Sequence, residues 1–298
     1  MDRRSYLRQT NPKAAITVLK PYLDPAYEQF REYSQVLLLQ ARCLIASNQS
    51  AQAAQLLRPQ LQQKDPWLGY WINLAGYTIP QRENAITWLQ EAAPSVTESD
   101  INLRLALADA WQQLYARHQQ PGDLVFARTL YLALLEQPKL TAEQLVPIAF
   151  FFHQQDEKAL AIKAYERVLE VEEFPVAMNN LAMLHIEQGQ PAKALPLAQK
   201  AVQATGEQDS SFLDTLGQVH LNLKQYDQAL AAFHKALAIA PRDPDAMLHL
   251  AKTLVAMGQK PQAKQILSRF STEHPDIRNL SQPQQQVLAE VTSHVNLP

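Results

Sequence analysis

The side chains best suited to chemistry in this chain are a lone cysteine, two histidines in matching surroundings and three tryptophans. None stands with the partners that a reaction needs. Cys43 lies among Ala41, Leu44 and Ile45. A single cysteine forms no internal disulfide, thiolate cluster or redox pair, and in apolar company it reads as a small core residue. His185 and His220 occupy equivalent places, each three residues after a small one (Ala182, Gly217), so shared packing explains both better than shared catalysis. Trp71, Trp88 and Trp111 fall on apolar faces at helical spacing and read as packing residues rather than a stacking platform. Asn48-Gln49-Ser50 matches a glycosylation acceptor, yet it sits where a polar turn is wanted anyway. A GxGxxG turn, a phosphate loop, a GxSxG elbow and an HExxH helix are absent from the sequence, as is a His, Asp and Glu group at metal-ligand spacing. The expectation is a non-catalytic protein with no cofactor and no metal.

The elements that carry these residues are helices. Nearly half of the 298 residues are apolar and only seven are glycine, with Ala, Leu and Gln abundant, which favours helix throughout. A net charge of −2 gives no field that would draw in nucleic acid. No apolar run is long enough to span a bilayer, so no membrane insertion of this chain is expected. The opening Met-Asp-Arg-Arg-Ser-Tyr-Leu has no apolar stretch behind it and does not read as an export signal.

Ser210 to Asp243, SSFLDTLGQVHLNLKQYDQALAAFHKALAIAPRD, shows how the helices are organised. Apolar periodicity predicts helices over Phe212–Leu223 and Tyr226–Ile239, joined by the polar turn Lys224-Gln225 and closed by Pro241. Gly217, Ala229 and Ala236 leave room for close approach, and Leu213, Leu216, Leu230, Phe233 and Leu237 supply the apolar surface. The unit resembles a tetratricopeptide repeat. Leu216-Gly217, the Ala229 and Phe233 pair, and Pro241 match that family's pattern of about 34 residues, with His220 where Tyr is preferred. One hairpin cannot bury its own apolar faces, so the pattern should recur. It does, with Leu250-Ala251, Gly258, Ala263, Leu267 and Pro275 downstream, and Asn180-Leu181-Ala182, Gly189, Ala194, Ala198 and Ala201 upstream. Gly217 and Ala182 are the expected contact between neighbouring repeats.

The resemblance implies an all-α, right-handed solenoid of about seven hairpins. It is expected as a single domain over 1–298, with a partial first repeat at 1–33, irregular repeats at 34–140, regular ones at 141–277, and a capping helix and tail at 278–298. In the first segment Ala15, Leu19 and Tyr22 fit a second helix with too little before them for a first, so an upstream portion is expected to be missing. Tyr6, Leu7, Ile16 and Leu19 should then leave an apolar edge that binds that portion or pairs two copies as a homodimer. Among the irregular repeats, Asn48 marks a turn, Leu74-Ala75 follows Ala41 in register, and Ser99-Asp100 should cap a long helix through Trp111. The polar stretch Arg117 to Asp123 should lengthen the next turn into an exposed insertion. Thr141 and Gln144 carry a capping-box pattern, and Val287, Leu288, Val291 and Val295 give the last helix one face with which to cover the final repeat.

In proteins similar to this one the first helices line a groove and the second helices form the outer wall. Carried over position by position, the partner-binding residues are Phe150, His153, Asn179, Asn180, Met183, Asp214, Gln218, His249 and Lys252. Side-chain amides would donate to and accept from an extended peptide, Phe150 and Met183 would receive its side chains, and Lys252 would suit an acidic ligand. The carboxylate clamp of chaperone adaptors is excluded, because Val146 and Phe150 stand where it needs Lys and Asn. The phrases Asn179-Asn180-Leu181-Ala182, Leu213-Asp214-Thr215-Leu216-Gly217 and His249-Leu250-Ala251 are similar to the C-terminal repeats of bacterial proteins associated with exopolysaccharide export and the exosortase system. The function implied is a scaffold for a protein or peptide partner in a bacterial envelope or secretion assembly. The alternative is the regulatory or substrate-docking region of a larger enzyme.

Overall fold

The computed structural model describes residues 12–23, 33–63 and 67–296. Among the described residues the regular structure is helical and there is no strand. The chain forms two compact units, Met1–Lys139 and Leu140–Pro298. The first holds α1 (Pro12–Leu19) and the hairpins α2 (Tyr33–Ala46) with α3 (Ser50–Leu57), α4 (Trp67–Tyr77) with α5 (Arg82–Ala92), and α6 (Ile101–His118) with α7 (Pro121–Leu135). The second holds α8 (Ala142–Gln154) with α9 (Lys158–Val171), α10 (Pro175–Glu187) with α11 (Pro191–Ala204), α12 (Ser210–Asn222) with α13 (Tyr226–Ile239), α14 (Pro244–Ala256) with α15 (Lys260–Glu273), and α16 (Gln282–Asn296). Each unit is a stack of helical hairpins of the solenoid kind, and no described helix is long and apolar enough to cross a membrane.

The hairpins turn by one device in five places. Asn48, Asp156, Gly189, Lys224 and Gly258 adopt φ between 56° and 76°, a left-handed conformation that ends the first helix of each pair. The next amide then reaches back five residues: Gln49 to Leu44, Glu157 to Phe152, Gln190 to His185, Gln225 to His220 and Gln259 to Leu254, at 2.8–2.9 Å. This 6→1 closure satisfies a carbonyl that the helix end would otherwise orphan. Asn48, Gly189, Lys224 and Gly258 stand where the repeat pattern puts turns in the sequence, and Asp156 is a fifth that the sequence reading did not name.

Helix starts are also capped at repeat spacing in the second unit. Thr141 accepts from the Gln144 amide at 3.3 Å while the Gln144 side chain accepts from the Thr141 amide at 3.1 Å, the expected capping box. The Asp209 carboxylate accepts from the Ser211 and Phe212 amides, and Asp243 does the same for Asp245 and Ala246. On α16, Val291 and Val295 are buried while most of the rest of the helix is polar and exposed, as a covering helix requires.

Four expectations need correction. Gly217 does not make room for Ala182 of the neighbouring repeat: a Cβ there would lie 2.5–2.7 Å from the Phe233 ring, so the glycine admits an aromatic of its own hairpin. The stretch Arg117 to Asp123 is not a lengthened turn. Arg117 and His118 continue α6, Pro121 already opens α7, and the turn is only Gln119-Gln120, with Gln119 at φ 53° and its amide on the Tyr115 carbonyl. Asp123 is buried and pairs with Arg82 through two contacts of 2.6 and 2.9 Å. Asp100 stands at the N-cap of α6, but its carboxylate turns back to the amide and hydroxyl of Thr97 and gives the helix no cap bond.

The last correction is at the first segment. Tyr6 and Leu7 lie outside the described residues, and Ile16 and Leu19 are half-buried near α2, whose Gln40 donates to the Ile16 carbonyl at 3.4 Å. The exposed apolar side chains there are Val18 and Tyr22, the latter on a 3-10 turn after α1 rather than on the helix.

Candidate functional site

Two chains of side-chain contacts run across the first helices of the second unit. In the first, the ring of His153 on α8 meets Tyr165 edge-on at 6.1 Å, and the Asn180 amide on α10 donates to the Tyr165 hydroxyl at 3.0 Å. In the second, the Gln218 amide on α12 points to the Met183 sulfur on α10 at 3.9 Å and donates to Asp214 at 2.8 Å. Asp214 in turn faces His249 Nδ1 on α14 at 2.9 Å. Separately, α14 meets α16, where Gln284 donates to Asp245 at 3.0 Å and Lys252 meets Glu290 at 2.8 Å.

These contacts recur because the repeat sets them. Met183 and Gln218 are 35 residues apart, as are Asp214 and His249, close to one repeat, so equivalent turns of adjacent helices lie side by side. Asp214 and Asn179 are buried, His249 is largely so, and Phe150 is the outlier with half of its surface exposed. Burial opposes charge on His249, but the Asp214 carboxylate, by charge and hydrogen bond, together with Asp245, outweighs that and raises its pKa above the ordinary imidazole value. Burial lowers the pKa of His153, and also that of His185, whose buried Nδ1 lacks a hydrogen-bond partner. The Asn179 Oδ1 is likewise buried without one, and its amide nitrogen has only a 3.5 Å contact with Asn180.

The nine residues expected to meet a partner therefore divide. Phe150, His153, Asn180, Met183, Gln218, His249 and Lys252 keep some exposure on this face. Asn179 and Asp214 do not present themselves as expected, being packed into the wall beneath it. Lys252 is not a free cation for an acidic ligand, since Glu290 already neutralises it, and Glu187 is held by Lys158 at 3.1 Å. Asn180 is not a purely exposed groove residue either, because it is tied to Tyr165. The sequence reading missed Tyr165, Asp245, Gln284 and Glu290; for the last three the signal was a polar pair separated by roughly one repeat, whereas Tyr165 lies only 15 residues from Asn180.

The other candidates behave as packing. Trp71 is fully buried, stacks on Trp88 with ring centroids 3.9 Å apart, and donates its indole N–H to the Trp88 carbonyl at 2.7 Å. Trp111 stacks on Phe126 at 4.6 Å. Burial raises the Cys43 thiol pKa, which disfavours the reactive thiolate.

Profiles described as tetratricopeptide repeat match residues 34–59, 176–206 and 220–282. Among solved structures, YrrB, described as a TPR protein with an unusual peptide-binding site, is similar with a TM-score of 0.51 at 19% identity, over 69% of this chain and 97% of that one. The Cut9-Hcn1 hetero-tetramer of APC/C gives a TM-score of 0.52 at 14% identity, over 93% of this chain and 52% of that one. Both likenesses are of fold. The human protein O-mannosyl-transferase TMTC1 is 30% identical over 98 residues, which are 33% of this chain and 11% of its own length, so the match spans a small part of that protein.

Proposed function

We propose that this tetratricopeptide-repeat protein is a non-catalytic scaffold that holds an extended peptide or protein segment against the first helices of its second unit. The observation that carries the reading is the linked row Met183, Gln218, Asp214 and His249. It places side chains from α10, α12 and α14 side by side and fixes them before any partner arrives. On α8 the ring of Phe150 is half-exposed, and the amides of Asn180 and Gln218 keep partial exposure. Such a face suits a peptide main chain bonded by amides, with an apolar side chain on Phe150. The named cations are spent on Glu187 and Glu290, so the partner is recognised by shape and amide contacts more than by acidic charge. YrrB, of the same fold, is described as having a peptide-binding site, which makes the reading natural without locating the site here.

The setting proposed for this scaffold, a bacterial envelope or secretion assembly, rests on the resemblance of the repeat phrases from Asn179 to Ala251. A second copy of the chain is proposed to pair through Val18 and Tyr22, and sedimentation at rising concentration tests that association. The test of the main reading is selection from a random-sequence peptide library followed by titration. Phe150→Ser and Gln218→Ala together should weaken the selected peptide by about tenfold or more while the protein stays folded. Unchanged affinity in the folded double variant would move binding off this face.

A second reading has one observation behind it, the match to part of a mannosyl-transferase. On that reading the repeats dock substrates for a catalytic domain on the same polypeptide. The mass of the protein in its native host separates the two, since the second reading requires a chain much longer than 298 residues.

A further inference from the structure

The first unit carries an aromatic face of its own that the core does not need. On α4, Trp67, Leu68, Trp71, Ile72, Leu74, Ala75 and Gly76 turn inward, and Tyr70, Asn73 and Tyr77 share the opposite side. Tyr70 is 40% exposed and Tyr77 48% exposed, although both are large enough to have been buried. Their rings are nevertheless held. Trp67 meets Tyr70 edge-on at 6.1 Å, and the Tyr77 hydroxyl donates to Asp109 on α6, which also accepts from Gln113 at 3.4 Å. Two fixed, solvent-facing rings with an amide between them form a recognition surface with little ordering entropy left to lose.

Spacing selects the ligand. Tyr70 and Tyr77 are two helical turns apart on nearly the same azimuth, about 10.5 Å along the axis. A polyproline II helix repeats every three residues, about 9.3 Å, so two prolines one turn apart fall over the two rings. An oligoproline backbone has carbonyl acceptors and no N–H donors. Asn73 supplies a side-chain N–H between the rings, where such a carbonyl would lie. Charge points the same way. Asp109 is the carboxylate beside this face, while Arg117 at its end is occupied by the carbonyls of Ala75, Gly76 and Ile79. A basic flank therefore fits better than an acidic one.

We propose that Tyr70, Asn73 and Tyr77, with Asp109 alongside, form a second binding site, on the first unit, for a proline-rich segment in polyproline II conformation with a basic flanking residue. The site shares no residue with the proposed face of the second unit and stands or falls separately from it.

The test is titration of the full chain with a synthetic oligoproline peptide ending in arginine, against a Gly-Ser peptide of equal length and charge. The oligoproline should bind saturably and the Gly-Ser peptide should not. Tyr70→Ala, which leaves the contact with Asp109 intact, should weaken binding by about tenfold or more, while Tyr77→Phe, which keeps the ring, should stay within about threefold of the parent. Circular dichroism melts check that the variants fold. Phe150→Ser should leave oligoproline binding as it was. Absence of saturable binding, equal binding of the Gly-Ser peptide, unchanged affinity in folded Tyr70→Ala, or loss of oligoproline binding in Phe150→Ser would each overturn the assignment.

Discussion

Both units bury alanines between their helices, but the first adds large side-chain contacts used once, and the second adds small devices used repeatedly. In the first, Trp71 lies flat on Trp88, Arg117 reaches across from α6 to three carbonyls at the end of α4, and Gly76 lets α4 press directly on α6. In the second, alanines such as Ala182, Ala194, Ala198, Ala229 and Ala236 fill the contacts, aspartates cap α12 and α14, and left-handed turns recur at Asp156, Gly189, Lys224 and Gly258. The physical lesson concerns register. Where every repeat packs by the same small residues, side chains one repeat apart meet along several helices in succession, and a continuous face for a ligand results. In the first unit a pair of nearly that spacing, Tyr77 with Asp109, joins α4 to α6 beside Tyr70.

The largest effect expected from this contrast is at Trp71. Trp71→Ala empties the stack against Trp88 and removes a buried hydrogen bond, at a cost of about 3–5 kcal/mol. Chemical denaturation followed by circular dichroism measures it. A loss below about 1 kcal/mol would mean that the first unit is not organised by that stack.

The two helical glycines sharpen the comparison at a smaller scale. An added Cβ at Gly76 would lie 2.7 Å from both Cα and Cβ of Ala110, and the backbone of a facing helix cannot step aside cheaply. At Gly217 the obstacle is the Phe233 ring, which can tilt. Gly76→Ala should cost about 2–3 kcal/mol and Gly217→Ala about 1–2, even though both gain helix propensity. Equal or reversed losses in parallel melts would show that the two close approaches are of one kind.

Much of this fold was legible in the sequence. Asn48, Gly189, Lys224 and Gly258 announced the turns because a left-handed residue and a repeat spacing coincide there, and Thr141 with Gln144 announced a helix start because the cap is local. The hairpin of α6 with α7 was misread for a physical reason. Arg117 to Asp123 contains few apolar residues, and polarity alone cannot separate an exposed loop from a helix end whose arginine caps a neighbour and whose aspartate is paired in the interior. The candidate face was half legible. Which residues lie on first helices follows from the period, but whether they are spent does not: Lys252 finds Glu290, and Asn180 finds Tyr165, only once helices distant in sequence are packed together. For that reason Asn180→Ala loses a tertiary hydrogen bond as well as a groove amide.

The smallest effect lies in the His249 and Asp214 pair. Its raised pKa makes it a group whose stabilisation is fully present below the unfolded-state value and is lost as pH rises through the folded-state value. Melting temperatures of the parent and of His249→Gln should therefore differ most below the unfolded-state value of about 6.5 and converge as pH rises above it through the folded-state value. The difference isolates this histidine from His153 and His185, whose lowered pKa values act in the opposite sense. A difference that grows with pH would place the imidazole's charge elsewhere than beside Asp214.

Amide hydrogen exchange on the full chain, with and without a saturating peptide selected from a random-sequence library, tests the central claim most directly. The account predicts that the peptide slows exchange on α8, α10, α12 and α14, with α9, α11, α13 and α15 unchanged. Protection confined to the second helices, or to the first unit alone, would contradict it.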